Sequence, residues 1–200
     1  MKQLKLPAVF MRGGTSNAIV FRQQDLPRDR AAWDEIFLAA IGSPDPYGRQ
    51  LDGMGGGVSS VSKVCVVGPP TRPDADIDYT FAQVQVKKAE VDYSANCGNM
   101  SSAMGPFAVD EGLVKVSGRE ALVRIHNTNT KKVIHAHFDV DDGMAAVYSA
   151  ADPEGAALAL MRGPAYDRMD DAERGGRRIE ARAVLAEERS VRDRVPDDVV

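Results

Sequence analysis

All eight lysines of this 200-residue chain precede Asp141, and the nine basic residues beyond it are all arginine. That break divides the chain into two parts with different folding prospects. Residues 1–141 carry sixteen basic and sixteen acidic side chains, so the net charge of −4 belongs wholly to residues 142–200. The later segment also has twelve alanines and neither Phe nor Trp, and 22 of its 59 positions are charged, against 32 of 141 upstream. Ala, Glu and Arg favour helix, so residues 167–194 can form a charged helix. Its apolar residues Met169, Ala172, Ile179, Ala183 and Leu185 make a thin, uneven stripe that gives a poor core contact. Residues 142–200 are therefore expected to be an atypical Ala/Arg-rich tail, weakly packed or disordered. An out-of-frame reading of a GC-rich gene gives the same composition.

The upstream part has the patterning of a packed domain. Residues 5–10 and 18–21 are short apolar segments flanking Met11-Arg12-Gly13-Gly14-Thr15-Ser16, which predicts two strands paired around a glycine turn. Residues 29–41 place Ala32, Ile36, Phe37 and Ala40 at helical spacing and stop at Gly42. Residues 60–67 are rich in β-branched side chains and end at Gly68-Pro69-Pro70, which predicts a strand. Residues 77–86 alternate apolar and polar and predict another. Residues 98–111 carry Met100, Ala103, Met104, Phe107 and Ala108 along one helical face, with Pro106 as a source of a kink. Residues 121–126 and 132–140 alternate as strands bridged by Asn127-Thr128-Asn129. Strands outnumber helices, so the expected class is α+β, a mixed sheet wrapped on a helix.

Charge and composition exclude several functions. The chain has no basic excess with which to neutralise phosphates, which argues against nucleic acid or an anionic membrane as partner. The N-terminal apolar run is too short for a signal peptide, and no stretch reaches the roughly 20 apolar residues of a membrane helix. Two cysteines, Cys65 and Cys97, form neither a disulfide scaffold nor a zinc module. The expectation is a cytoplasmic protein with free thiols.

Chemistry concentrates in a few places. In Asn96-Cys97-Gly98-Asn99, the thiol sits at the start of the predicted helix, where free N–H groups and the helix dipole favour a thiolate. The same N–H groups suit a carboxylate or enolate oxygen; a buried structural cysteine is the alternative. Lys63 lies inside an apolar strand, and if it points inward it is a usable base. Strand alternation alone leaves its face open. Cys65 shares that face and reads as a core residue. Two glycine-rich loops, Arg12-Gly13-Gly14-Thr15-Ser16 and residues 52–60, match neither a phosphate loop nor a dinucleotide fingerprint. Their N–H groups and hydroxyls, with Arg12, suit carboxylates. His135 and His137 share a strand face without a third ligand at suitable spacing, so no metal is expected.

The segments Met11-Arg12-Gly13-Gly14-Thr15-Ser16, Asp52-Gly53-Met54-Gly55-Gly56-Gly57, Ser60-Val61-Ser62-Lys63-Val64 and Asn96-Cys97-Gly98-Asn99-Met100 come in this order. Together with Gly105-Pro106-Phe107-Ala108 and Val123-Arg124-Ile125-His126-Asn127-Thr128-Asn129-Thr130, they resemble the PrpF family over residues 5–140. That family includes 2-methylaconitate isomerase, 3-methylitaconate isomerase and 4-oxalomesaconate tautomerase. The resemblance implies a diaminopimelate-epimerase-like fold, two similar α+β domains with the active site in the cleft between them. It implies a cofactor-free isomerase that shifts an allylic proton, or interconverts cis and trans forms, in a small unsaturated di- or tricarboxylate. Lys63 and Cys97 are then the acid–base pair. Arg12, Gly14, Thr15, Ser16, Gly55, Gly56, Ser60, Ser62, Asn96, Gly98 and Asn99 hold the substrate. Asn17 stands where family members usually carry lysine, one positive charge fewer near the expected carboxylate site. Family members run to roughly twice this length, so the expectation is an N-terminal isomerase domain over residues 1–141 without its second domain. A half-enzyme that binds carboxylates without turnover, or self-associates through its exposed cleft face, is the alternative.

Overall fold

The computed structural model describes residues 4–146 and 160–162. Most of the Ala/Arg-rich tail, including the helix expected over residues 167–194, lies outside the described residues.

The first glycine pair turns the chain back on itself. Strands β1 (Val9–Gly13) and β2 (Ser16–Arg22) run antiparallel from Val9↔Val20 to Gly13↔Ser16. Gly14, in the turn, has φ +53°, a region that L side chains adopt only at a cost. The helix expected from residue 29 begins as a 3₁₀ turn over Arg30–Ala32, where the Asp29 carboxylate accepts from the Ala31 N–H. It becomes regular as α1 (Trp33–Ile41) and stops at Gly42, whose φ of 83° lets its N–H reach the Leu38 and Ala39 carbonyls.

Strand β3 (Lys63–Gly68) starts three residues later than its β-branched composition suggests, because Ser59–Val61 winds into a 3₁₀ turn. It lies parallel to β2 and antiparallel to β4 (Ile77–Val84). Strand β4 ends before Gln85, whose N–H turns to the Glu90 carbonyl and brings β5 (Val91–Asp92) back alongside. Apolar–polar alternation in β4 suggests one wet face, yet both faces are buried. Its polar members are therefore partnered. Asp78 accepts from the Thr71 N–H and hydroxyl and meets His126 at 2.9 Å, while the Thr80 hydroxyl pairs with that of Thr128.

The long helix α2 (Gly98–Asp110) runs as one element through Pro106. A proline inside a helix costs about 3 kcal/mol or more. Met100, Met104 and Phe107 are buried on this helix, and each such side chain contributes about 1.5–3 kcal/mol, which outweighs the break. Gly105 allows the close approach, since a Cβ there would lie 2.9 Å from that of Ala136. Strands β6 (Glu120–Asn127), β7 (Lys132–Asp141), β8 (Met144–Ala145) and β9 (Leu160–Arg162) complete the sheet.

Strand order is β1-β2-β3-β4-β6-β7-β8, with β5 also on β4 and β9 also on β7; the β2/β3 and β4/β6 pairs are parallel. Each face carries one cluster. Val20, Cys65, Val67, Tyr79, Phe81, Ile125, Ala136 and Phe138 pack on α2. Ile19, Phe21, Val64, Val66, Ala82 and Val84 pack with Trp33, Phe37 and Ile41 of α1. Helix α2 touches strands from β1 to β8, so the mixed sheet curls around it as expected. His135 and His137 fall on the β7 face turned away from α2, since Ala136 and Phe138 take the core side.

Ahead of β4, the Asp76 carboxylate accepts from the Arg124 main-chain N–H at 2.8 Å and from its guanidinium, tying the parallel β4/β6 pair. The hydrogen bond from the Arg124 side chain chiefly holds the Asp76 carboxyl below its ordinary value of 3.8. A depressed folded value stabilises the fold above the unfolded pKa, and that stability is lost as pH falls through the folded value. Asp76→Asn should lower stability by about 1–2 kcal/mol at neutral pH. It should also flatten the decline of the thermal midpoint below about pH 4, the range of an unperturbed Asp; thermal unfolding across pH checks both.

Candidate active site

Topology gathers the candidate residues along one edge of the sheet. The parallel strands β2 and β3 both begin there, with Ser16 and Lys63, and the antiparallel β4 ends there at Gln83 and Val84. Helix α2 starts at the same edge.

The β1–β2 turn rests directly on the first turn of α2. A Cβ on Gly13 would lie 2.1 Å from the Asn99 carbonyl oxygen, and one on Gly14 would lie 2.7 Å from Asn99 Oδ1. Only glycines permit that approach. The Asn99 amide then donates to the Thr15 hydroxyl at 2.9 Å and to Ser16 Oγ at 3.3 Å. Cys97 occupies the N-cap of α2 with extended backbone, partly buried, its Sγ 4.0 Å from Ser16 Oγ. Gly14, Thr15, Ser16, Cys97 and Asn99 thus form one cluster, with Gly98 exposed as the first helical residue. Arg12 is exposed at its rim, 3.4 Å from the Gly14 carbonyl.

A bracket of asparagines holds the segment leading into α2. Asn96 Oδ1 accepts from Asn127 Nδ2 at 2.9 Å and lies 3.0 Å from the Ser101 hydroxyl. Asn127 Oδ1 accepts from the N–H groups of Asn129 and Thr130. Asn129 in turn bonds the N–H and carbonyl of Phe81 and the carbonyl of Tyr93. Sequence reading found Asn127 and Asn129 as a strand bridge and part of a family-like segment, without their partners; Asn96, Phe81 and Tyr93 lie 31 to 48 positions away in the chain.

Lys63 opens β3 on the α2 face, the inward alternative that periodicity left open, and is 7% exposed. Its Nζ donates to Gln83 Oε1 at 2.6 Å and lies 5.3 Å from the centre of the Phe81 ring. Cys65, two residues on, is fully buried beside the Tyr79 hydroxyl at 3.8 Å. Burial pushes its thiol up to about 12, and the Cys97 and Lys63 side chains both act on it electrostatically. Burial likewise pushes the Tyr79 phenol well above its ordinary value, with Cys97 again among the groups it feels. Cys65 therefore lies within electrostatic reach of both proposed acid–base residues and is itself suited to packing.

The second glycine loop is built around buried Gln50, whose backbone sits at φ 52°. Gln50 Oε1 accepts from the Gly57 N–H and lies 2.8 Å from the Ser62 hydroxyl. A Cβ on Gly55 would lie 2.3 Å from that same oxygen, and one on Gly56 would lie 2.6 Å from Val61 Cγ2. Ser62 is fully buried, its hydroxyl also 2.7 Å from the Val58 carbonyl, so this side chain is occupied within the loop. Ser60 is half-buried and Gly56 exposed. Gln83 ties the loop to Lys63, its amide nitrogen donating to the Ser59 and Ser62 carbonyls. Neither Gln50 nor Gln83 has a motif that marks it; their roles follow from loop shape and strand register.

Residues 3–159 match the family model described as PrpF protein. The chain is 49% identical over 145 residues to the 3-methylitaconate isomerase of Eubacterium barkeri, covering 72% of this chain and 38% of that protein. It is 46% identical over 143 residues to the 4-oxalomesaconate tautomerase of Pseudomonas putida, covering 72% and 39%. A crystal structure of methylitaconate-delta-isomerase superposes with a TM-score of 0.69 at 49% identity, over 72% of this chain and 37% of that one. A probable proline racemase from Agrobacterium radiobacter K84, 15% identical, shares the fold at a TM-score of 0.50 over 70% and 39%. The architecture is thus that of the diaminopimelate-epimerase-like proteins. The chain belongs to the PrpF family. It spans about 38% of the length of the curated relatives it matches.

Two outcomes test this geometry. Iodoacetamide on the folded chain should modify Cys97 and spare Cys65, as peptide mass mapping would show. Gly13→Ala should cost about 1–3 kcal/mol through overpacking against a backbone oxygen and speed the labelling of Cys97 as the helix start shifts.

Proposed function

We propose that this chain carries the acid–base residues of an isomerase that moves an allylic proton in a small unsaturated di- or tricarboxylate. Methylitaconate, methylaconitate and oxalomesaconate, the compounds for which its relatives are named, are the model substrates. The observation that carries this reading is a buried lysine opening β3 and a partly buried thiol at the N-cap position of α2, at the same end of the sheet.

In this reading one of the pair, Lys63 or Cys97, takes a proton from the carbon next to the double bond. The C–H electrons become the new π bond, the old π electrons pass to the far carbon, and the other residue delivers a proton there. One C–H bond breaks and one forms, so the step is redox-neutral and its atoms balance with two proton-transfer groups. The charge that develops on the substrate carboxylate as a dienolate needs donors. The free N–H groups at the start of α2, around Gly98 and Asn99, supply them. The Thr15 and Ser16 hydroxyls and Arg12 suit the remaining carboxylates. The catalytic groups all fall within residues 1–141, and two unpaired thiols fit the reducing environment of the cytoplasm.

Incubation with each model substrate in deuterium oxide should place solvent deuterium at the allylic carbon, read by proton NMR. Lys63→Ala and Cys97→Ser should each slow incorporation by about 10²–10⁴-fold, the usual worth of a positioned acid or base. Incorporation that survives both substitutions, or none with any of the three compounds, overturns the reading.

A further inference from the structure

Lys63 and Gln83 are direct register partners on β3 and β4, which places their side chains side by side on the α2 face. The Gln83 amide has a determined orientation. Its nitrogen lies 2.9 Å from the Ser62 carbonyl, 3.1 Å from that of Ser59 and 3.4 Å from that of Val84. All three are acceptors, so the NH₂ must face them and Oε1 must face Lys63. A single acceptor is thereby fixed at 2.6 Å from Nζ by carbonyls of the loop and of β4.

We infer that Gln83 is the positioning residue for the Lys63 amine, an inference that rests on the acid–base reading above. A neutral amine has two N–H bonds and one lone pair. With one N–H committed to Gln83 Oε1, the lone pair cannot point toward β4 and is turned out of the Gln83 side. That is the orbital a base must present. The acceptor is also uncharged. A carboxylate in the same place would hold the lysine as ammonium, whereas an amide steadies the nitrogen in either protonation state. Nζ also lies 5.3 Å from the centre of the Phe81 ring on β4, and the Lys63 side chain acts electrostatically on the Cys65 thiol of the same strand. Gln83 thus differs from a residue that merely fills space, since it sets the direction of the amine.

The test uses the full chain. Lysine-ammonium ¹H–¹⁵N spectra, with the Lys63 signal assigned through Lys63→Arg, should show Lys63 hydrogens exchanging at least about tenfold more slowly than those of exposed Lys87 and Lys88. Gln83→Met, similar in shape but without an acceptor, should lose that protection, and Gln83→Glu should keep it. In the deuterium assay, Gln83→Met should lower kcat about tenfold with KM within about twofold, one hydrogen bond's worth. Gln83→Glu should also be slow at neutral pH but recover as pH rises, which Gln83→Met should not. If Lys63 in the unaltered chain exchanges as fast as Lys87, the inference is overturned whatever the variants do. Unchanged protection in Gln83→Met overturns it as well. Protection that is present and lost on Gln83→Met, in a chain giving no deuterium incorporation, supports the Gln83–Lys63 assignment and sinks the isomerase reading alone.

Discussion

The contact between a glycine turn and a helix start organises this molecule. Gly13 brings the β1–β2 hairpin against the Asn99 main chain, and Gly14 brings it against the Asn99 side chain. From that contact follow the clip from Asn99 to Thr15 and Ser16 and the placement of Cys97 beside Ser16. One methyl group would separate the two elements. The residues with chemical potential are therefore positioned by main chain on main chain, the stiffest contact that a protein offers.

Much of the fold was legible because burial follows period. The hairpin, α1, α2 and the β6–β7 pair all lie where apolar spacing puts them, and the glycine at the end of α1 marks its stop. The departures have local causes. The β-branched run begins at Val61, but hydrogen bonds from the Ser62 hydroxyl to Val58 and from Gln83 to Ser59 accompany a turn over Ser59–Val61, and the strand starts only at Lys63. Strand β4 alternates like a half-wet strand, yet Thr71, His126 and Thr128 arrive from distant segments to cover its polar face.

The candidate site shows the same division. Cys97 and the glycine loops announce themselves, since a thiol before a helix and clustered glycines are unusual chemistry at fixed spacing. The face of Lys63 needed either a family resemblance or a register, because period-two alternation offers two answers of equal standing. Gln50, Gln83, Asn127 and Asn129 carry no local mark at all. Each acts on groups brought near by strand pairing, so pairing had to be known first.

The brackets that hold the site edge have an electrical consequence. Several links there run between amides, hydroxyls and main-chain groups: Asn96 with Asn127, Asn99 with Thr15 and Ser16, Gln50 with Gly57, Gln83 with Ser59 and Ser62. The carboxylate anchors of the sheet, Asp76 with Arg124 and Asp78 with His126, belong to the far end of β4. The amide and hydroxyl links are therefore made by groups that neither gain nor lose protons in the biological range. In the proposed reaction, a proton arriving at one residue and leaving from the other changes the charge beside these links without changing the groups that make them. The same scaffold would then serve both halves of the proposed proton transfer.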